Sequence, residues 1–238
     1  MAKTLDQWIA TDVAKAEKLG ITKLSTEFFF RDPPRPNYID HEHFYSPADG
    51  VILYQKFIKD PSQPVVEIKG MNYTLQDVMG DPDYSKPSLV IGVFMSFYDV
   101  HINRVPYGGI IRYKRLEPIE STNKPMLVIE KDILNKTINP DNLEYLKYNE
   151  RMLNEFYVPS LDYKYYVLQI ADEDVNVIAP FVEQVTPLVQ NERFSLIRWG
   201  SQCDLVLPLD DRFNFEICQD DHVHVEAGLD QLVKVTFN

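Results

Sequence analysis

The dipeptide in this chain best suited to chemistry is Gly200-Ser201, within Arg193-Phe194-Ser195-Leu196-Ile197-Arg198-Trp199-Gly200-Ser201-Gln202-Cys203-Asp204-Leu205-Val206-Leu207-Pro208. The segment reads as an apolar strand, a Gly-Ser step and a second apolar strand. Glycine reaches backbone conformations closed to other residues, so a strained turn here can press the following hydroxyl against the Gly200 carbonyl. That arrangement favours an N-to-O acyl shift. Taken alone, the step reads more simply as a hairpin turn. Asp49, in Pro47-Ala48-Asp49-Gly50, and His101 likewise have ordinary readings as a turn residue and a structural histidine. Four of the five histidines form two H-x-H pairs, His41/His43 and His222/His224. On a strand, residues i and i+2 share a face, so each pair could grip a metal, with Asp220, Asp221 and Glu226 as oxygen donors. The second pair sits in what reads as an exposed strand running into a turn, so a solvated face is expected and no metal is assigned.

Several elements must position these groups. Leu5, Trp8, Ile9, Val13 and Ala16 recur at helical spacing, with Gly20 as a stop, and predict an amphipathic helix over residues 5–19. Its expected role is to pack on the core, because the basic face of a membrane-surface helix is missing. Residues 29–48, with Pro33, Pro34 and Pro36, read as an irregular segment crossing the surface. Apolar runs at 51–57, 89–95, 126–129, 165–171, 194–199, 204–207 and 232–237 predict strands. Helices are expected at 74–79, with Thr74 as cap, at 140–151, and at 179–189, interrupted by Pro187. Long helices between the strands are absent from this pattern. The expected fold class is therefore α+β, predominantly β, with residues 1–28 as an N-terminal helical appendage and 29–238 as one β-rich domain.

Four ordered segments resemble the phosphatidylserine decarboxylase family. Tyr45-Ser46-Pro47-Ala48-Asp49-Gly50 resembles its Ser-Pro-Ala-Asp-Gly motif. Ile68-Lys69-Gly70-Met71-Asn72-Tyr73-Thr74-Leu75 resembles its Lys-Gly, Tyr-Ser-Leu segment, and the stretch from Val93 to Gly109, with Asp99-Val100-His101-Ile102-Asn103-Arg104, its histidine motif. The Gly200-Ser201 segment resembles its self-cleavage site, and Asn149-Glu150-Arg151 is similar to its Asn-Glu-Arg step. The resemblance implies a decarboxylase-like β core, cleavage between Gly200 and Ser201, and a pyruvoyl group generated from Ser201 as the only cofactor. It also implies a protease-like triad of Asp49, His101 and Ser201 during maturation, with His101 as a proton donor afterwards. Many members carry a second histidine three residues after the first; here that position is Arg104, which reads equally as a surface cation or as an anchor for a substrate carboxylate or phosphate. With Gln202 after the serine, the chain is closest to the family's short, soluble-looking branch.

Composition restricts the partners. With 36 Asp and Glu against 24 Lys and Arg, the net charge of −12 repels nucleic acid, which is not an expected partner. No run approaches the roughly 20 apolar residues of a membrane span, and Met1 to Asp6 lacks a signal-peptide core, so a cytoplasmic location is expected. Cys203 and Cys218 form no C-x-x-C and are read as free thiols. The expected substrate is of amino-acid type. Phosphatidylserine comes first by resemblance, a soluble amino acid such as an aromatic one is the enzyme alternative, and an unprocessed binding or metal-binding β module is the alternative of another class. Peripheral membrane contact and a homodimer stay open.

Overall fold

In the computed structural model of the chain, residues 1–238 are described except 38, 117–122, 174–176 and 199. Among the described residues, a nine-stranded sheet forms the centre. In spatial order it contains Lys3–Thr4, Val223–Val225, Gly50–Ile58, Ser88–Met95, Ser201–Pro208, Tyr163–Ala171, Arg151–Val158, Gly109–Leu116 and Thr186–Leu188. Every adjacent pair in it is antiparallel. Smaller sheets join Ile178–Pro180, Arg193–Ile197 and Ile102–Arg104, and Phe213–Ile217, Gln231–Phe237 and His43–Tyr45. The fold is α+β and predominantly β.

The central strands Ser88–Met95 and Ser201–Pro208 are buried at every position because both faces of the sheet are covered. Along Ser88–Met95, Leu89, Ile91, Val93 and Met95 enter one core, while Val90 and Phe94 enter the other. This is the two-residue alternation of a strand with no wet face. Along Ser201–Pro208, Cys203, Leu205 and Leu207 face the first core, and Val206 the second. Gln202 and Asp204 are buried as well, and they survive there by pairing: Asp204 accepts from Tyr54 Oη at 2.7 Å and from Gln202 Nε2 at 2.6 Å.

The N-terminal run is helical through Leu5–Trp8, Ile9–Val13 and Ala14–Glu17, with a π-helical middle. Trp8, Val13 and Ala16 are buried, so the helix packs on the core as its apolar stripe requires. Thr74 caps Leu75–Met79 through a reciprocal pair with Asp77.

Other expected elements differ from those observed. Residues 126–129 are not a strand but open the helix Leu127–Asn135, whose Ile129 and Ile133 form an i, i+4 buried pair; a four-residue apolar run does not distinguish the two states. Residues 179–189 are not helical: they hold the strands Ile178–Pro180 and Thr186–Leu188. Pro187 is tolerated because its strand is an edge of the large sheet, where a missing N–H breaks no ladder. The expected helix at 140–151 is a short 3₁₀ turn, Pro140–Asn142, followed by the helix Tyr145–Tyr148. The strand expected to reach Trp199 runs Arg193–Ile197, and Trp199 lies outside the described residues.

Candidate active site

Ser201 begins a central strand and is completely buried, in register with Met95 on one side and Ala171 on the other. The Gly200–Ser201 bond thus sits where the chain enters the sheet, with its C-terminal side clamped by two neighbours. The Ser201 hydroxyl meets the thioether Sδ of Met95 at 3.5 Å, a weak acceptor. Gly200 lies against Asp172 so closely that a Cβ would strike the Asp172 carboxylate, so a side chain here would displace that group. Asp172 is itself held: its Oδ1 accepts the Met126 N–H at 2.7 Å, and its carbonyl accepts Asn123 Nδ2 at 2.6 Å.

Gly200 and Asp172 form part of the wall of a cavity of about 400 Å³, whose remaining surface is mostly apolar and includes Ile21, Leu24, Phe94 and Met126. Glu130 also faces it, with both carboxylate oxygens 3.1 Å from the Phe97 N–H. Burial pushes the Glu130 carboxyl up to about 7, assisted by the charges of Asp99 and Asp172 and opposed by the Phe97 hydrogen bond.

His101 is fully buried just before the Ile102–Arg104 strand. Its Nδ1 lies 3.1 Å from the Asp99 carbonyl oxygen. A carbonyl only accepts, so Nδ1 carries the proton and Nε2 the free lone pair. Nε2 is buried and has no hydrogen-bond partner. Burial, reinforced by the Arg31 cation and opposed by Asp99 and Asp49, pushes His101 down to about 4, so the ring is a neutral acceptor at neutral pH. Phe29 stacks on it with ring centroids 3.9 Å apart and also meets Phe97 at 5.5 Å; Phe97 lines the cavity beside Gly200. This corrects the reading of residues 29–48 as surface alone, since the segment turns Phe29 onto His101 and Arg35 onto Asp49.

The Asp49 carboxylate is engaged away from the imidazole. It receives Arg35 through both oxygens, at 2.6 and 2.7 Å, and the Ala227 N–H at 2.7 Å. The next residue, Gly50, has φ +157° and lies where a Cβ would collide with the Phe94 carbonyl, so only glycine lets Asp49 enter the sheet so tightly. Arg104 is buried, not a surface cation; it donates to the Asn191 carbonyl at 3.0 Å and to Asp32 at 3.2 Å. It opens on a second cavity of about 510 Å³ with Arg35 and Arg193, and that cavity shares no lining residue with the one at Gly200.

The histidine pairs separate as well. His224 is buried and bonds Asp99 at 2.7 Å, whereas His222 is exposed at φ +63° outside the strand, so the expected solvated pair is split by a turn. His43 bonds Asp40 at 2.9 Å. Among the described residues no three His, Cys, Asp or Glu side chains gather as a metal site.

Compared with known proteins, residues 24–230 match the family model for phosphatidylserine decarboxylase. The chain belongs to the phosphatidylserine decarboxylase family. It is 31% identical over 182 residues to a phosphatidylserine decarboxylase proenzyme of Cereibacter sphaeroides, covering 76% of this chain and 63% of that one. With a proenzyme of the same name from Novosphingobium aromaticivorans it shares 30% identity over 195 residues, 80% of this chain and 66% of the relative. The chain thus spans less than two thirds of the length of these relatives. The family resemblance implies a carbonyl cofactor made from Ser201. The residues present fit one at position 201: a buried serine follows a glycine on a cavity wall, and a buried imidazole nitrogen lacks a partner.

Glu130 offers a test of the cavity's electrostatics. Its folded-state pKa is raised, so the unfolded chain loses a proton that the folded chain keeps, and stability falls as pH rises from about 4.5 through about 7. Glu130→Gln removes that loss. Relative to the parent chain, the variant is expected to gain up to about 3 kcal/mol at pH 8 over its standing at pH 5. Urea midpoints at the two pH values measure it, and an equal difference at both would mean the carboxyl is not desolvated.

Proposed function

We propose that this chain is a self-processing, pyruvoyl-dependent decarboxylase, with phosphatidylserine as its first substrate and phosphatidylethanolamine and CO₂ as products. In the maturation step the Ser201 Oγ–H passes its proton to Nε2 of His101 as Oγ attacks the Gly200 carbonyl. The C–N bond breaks, the freed amine takes a proton, and residues 200 and 201 are joined as an ester. Elimination of the Gly200 carboxylate, followed by hydrolysis with release of ammonia, leaves a carbonyl-bearing terminus at position 201. That group, once made, supplies an electron sink for loss of CO₂ from an amine-bearing substrate. The rest falls to the chain's own side chains: Asp99 keeps His101 in the Nδ1–H form, and the apolar cavity wall excludes water.

One observation carries this reading: Gly200, on the acyl side of the candidate scissile bond, is itself part of the wall of a substrate-sized cavity. An apolar wall with exposed Ile21 and Leu127 suits acyl chains. Among the described residues no helix is long and apolar enough to cross a membrane. Glu130 and Asp172 favour a second reading, a soluble amino acid, because carboxylates in the wall attract an amine but disfavour a phosphodiester. Arg104 is the alternative anion anchor, through its separate cavity.

Intact-mass measurement of purified protein is expected to give two pieces ending at Gly200 and starting at position 201, the smaller gaining two hydrogens on borohydride treatment. CO₂ release from phosphatidylserine vesicles, set against free amino acids, then assigns the substrate. A chain that stays whole after prolonged incubation counts for a binding module.

A further inference from the structure

We propose that His224 is a positioning residue for His101, acting through Asp99. The inference rests on the self-processing reading above. His224 Nε2 lies 2.7 Å from Asp99 Oδ1, and the other carboxylate oxygen accepts both the backbone N–H and the hydroxyl of Ser96, at 2.8 and 2.6 Å. Asp99 also donates its own N–H to the Ser96 carbonyl at 3.0 Å, which closes a tight turn over residues 96–99. The carbonyl of the same Asp99 receives Nδ1–H of His101 at 3.1 Å, so the side chain grips one histidine and the main chain orients the other. Arg31 adds a donor to that carbonyl at 3.3 Å.

The arrangement is buried throughout: Asp99, His101 and His224 are exposed by 1, 0 and 4%. Trp8 of the N-terminal helix covers His224 as a stacked ring, with centroids 5.0 Å apart and planes 14° apart. A carboxylate in such a place is stable only if its oxygens are paired. Burial alone would raise Asp99 and lower His224; the mutual attraction and hydrogen bond, joined by the Ser96 bonds to Asp99 and by the charges of Asp49 and Glu226 on His224, together outweigh it, and the pair is held charged. Removing His224 leaves one Asp99 oxygen without its cation. The carboxyl then takes a proton or swings away, the 96–99 turn loosens, and the Asp99 carbonyl no longer fixes which nitrogen of His101 bears the proton. His224 also lies beyond position 200, so the ion pair spans the two pieces that cleavage would produce, with the base on one and its support on the other.

The test uses full chains. In the uncleavable Ser201→Ala chain, ¹⁵N-detected imidazole spectra are expected to show His101 as the neutral Nδ1–H form at pH 7, and added His224→Gln to turn that signal into a mixture of tautomers. In the chain with Ser201 intact, His224→Gln is expected to slow cleavage about tenfold or more, part of what a well-placed general base contributes. Asp99→Asn is expected to slow it similarly, and the double variant no further than the slower single one, because both break one link. An unchanged His101 spectrum in the His224→Gln chain overturns the proposal, whether cleavage slows or not, since slowing alone would then mark only a structural role. If the parent chain does not cut itself yet the His101 spectrum shifts, the self-processing reading fails and the link between the two histidines stands.

Discussion

Ser201→Ala is expected to abolish cleavage outright, leaving a single chain of 238 residues and no CO₂ release from any amino-acid substrate. The alanine removes the only atom that can attack the Gly200 carbonyl from the adjacent residue. It should cost the fold little. The hydroxyl's contact is a 3.5 Å approach to a thioether, far weaker than an amide hydrogen bond, so stability should change by no more than about 1 kcal/mol. These two outcomes together separate chemistry from structure. Fragments unchanged in size and yield after Ser201→Ala would place the nucleophile elsewhere, or make the cut the work of a contaminating protease. A variant that fails to cut but also unfolds early would leave Ser201 as a core residue; Ser201→Cys, which keeps a nucleophile of similar size, then decides by whether cleavage returns.

Ser201, His101 and Asp49 do not form a bonded triad, and the reason is visible in the packing. Ser201 leans on Met95, His101 keeps a vacant Nε2, and Asp49 is saturated by Arg35 and the Ala227 N–H. Catalytic hydrogen bonds are often long before the reacting geometry is reached. What is already in place is the environment: a neutral imidazole, and a glycine pressed against a carboxylate on a cavity wall.

Local rules reached some of this and missed the rest for identifiable reasons. Thr74 announces its helix by a capping residue three positions before its partner, and the longer apolar run at 89–95, with its β-branched Val and Ile, reads as the buried strand that it forms. Motif order singles out His101 and Ser201 as candidates, and both are buried. It does not single out Glu130, Asp172 and His224, because what matters for each is a neighbour distant in sequence. His224 is 125 residues from Asp99, and its i, i+2 relation to His222 suggested a shared wet face that a positive-φ turn abolishes. Phe29 was hidden by its proline-rich surroundings, although a run of three phenylalanines before an arginine is a poor composition for a surface. The 179–189 stretch misled because two prolines and an apolar periodicity look alike in an interrupted helix and in two edge segments.

His101→Gln carries the second large expectation. With Ser201 retained, cleavage is expected to slow by about 10² to 10⁴, the usual contribution of a positioned base. The pH dependence discriminates further. Because burial holds His101 down to about 4, the parent chain's cleavage rate should be nearly flat from pH 5.5 to 8 and fall only as pH approaches that value. A midpoint near 6.5 would mean an ordinary solvated imidazole is titrating. The same burial links to stability with a definite sign. Below about 6.5 the unfolded chain protonates this histidine while the folded chain does not, so His101 costs increasing stability as pH falls toward about 4, up to about 3 kcal/mol. Glu130 and Asp204, both raised to about 7 by burial, slope the opposite way over the same interval, so the parent's net curve is shallow. Subtracting the His101→Gln curve from the parent's isolates the imidazole: the difference should favour the variant progressively more at pH 5 than at pH 7. A flat difference would show that the ring is not held neutral in the fold, and with it would go the case for His101 as the base that frees Ser201.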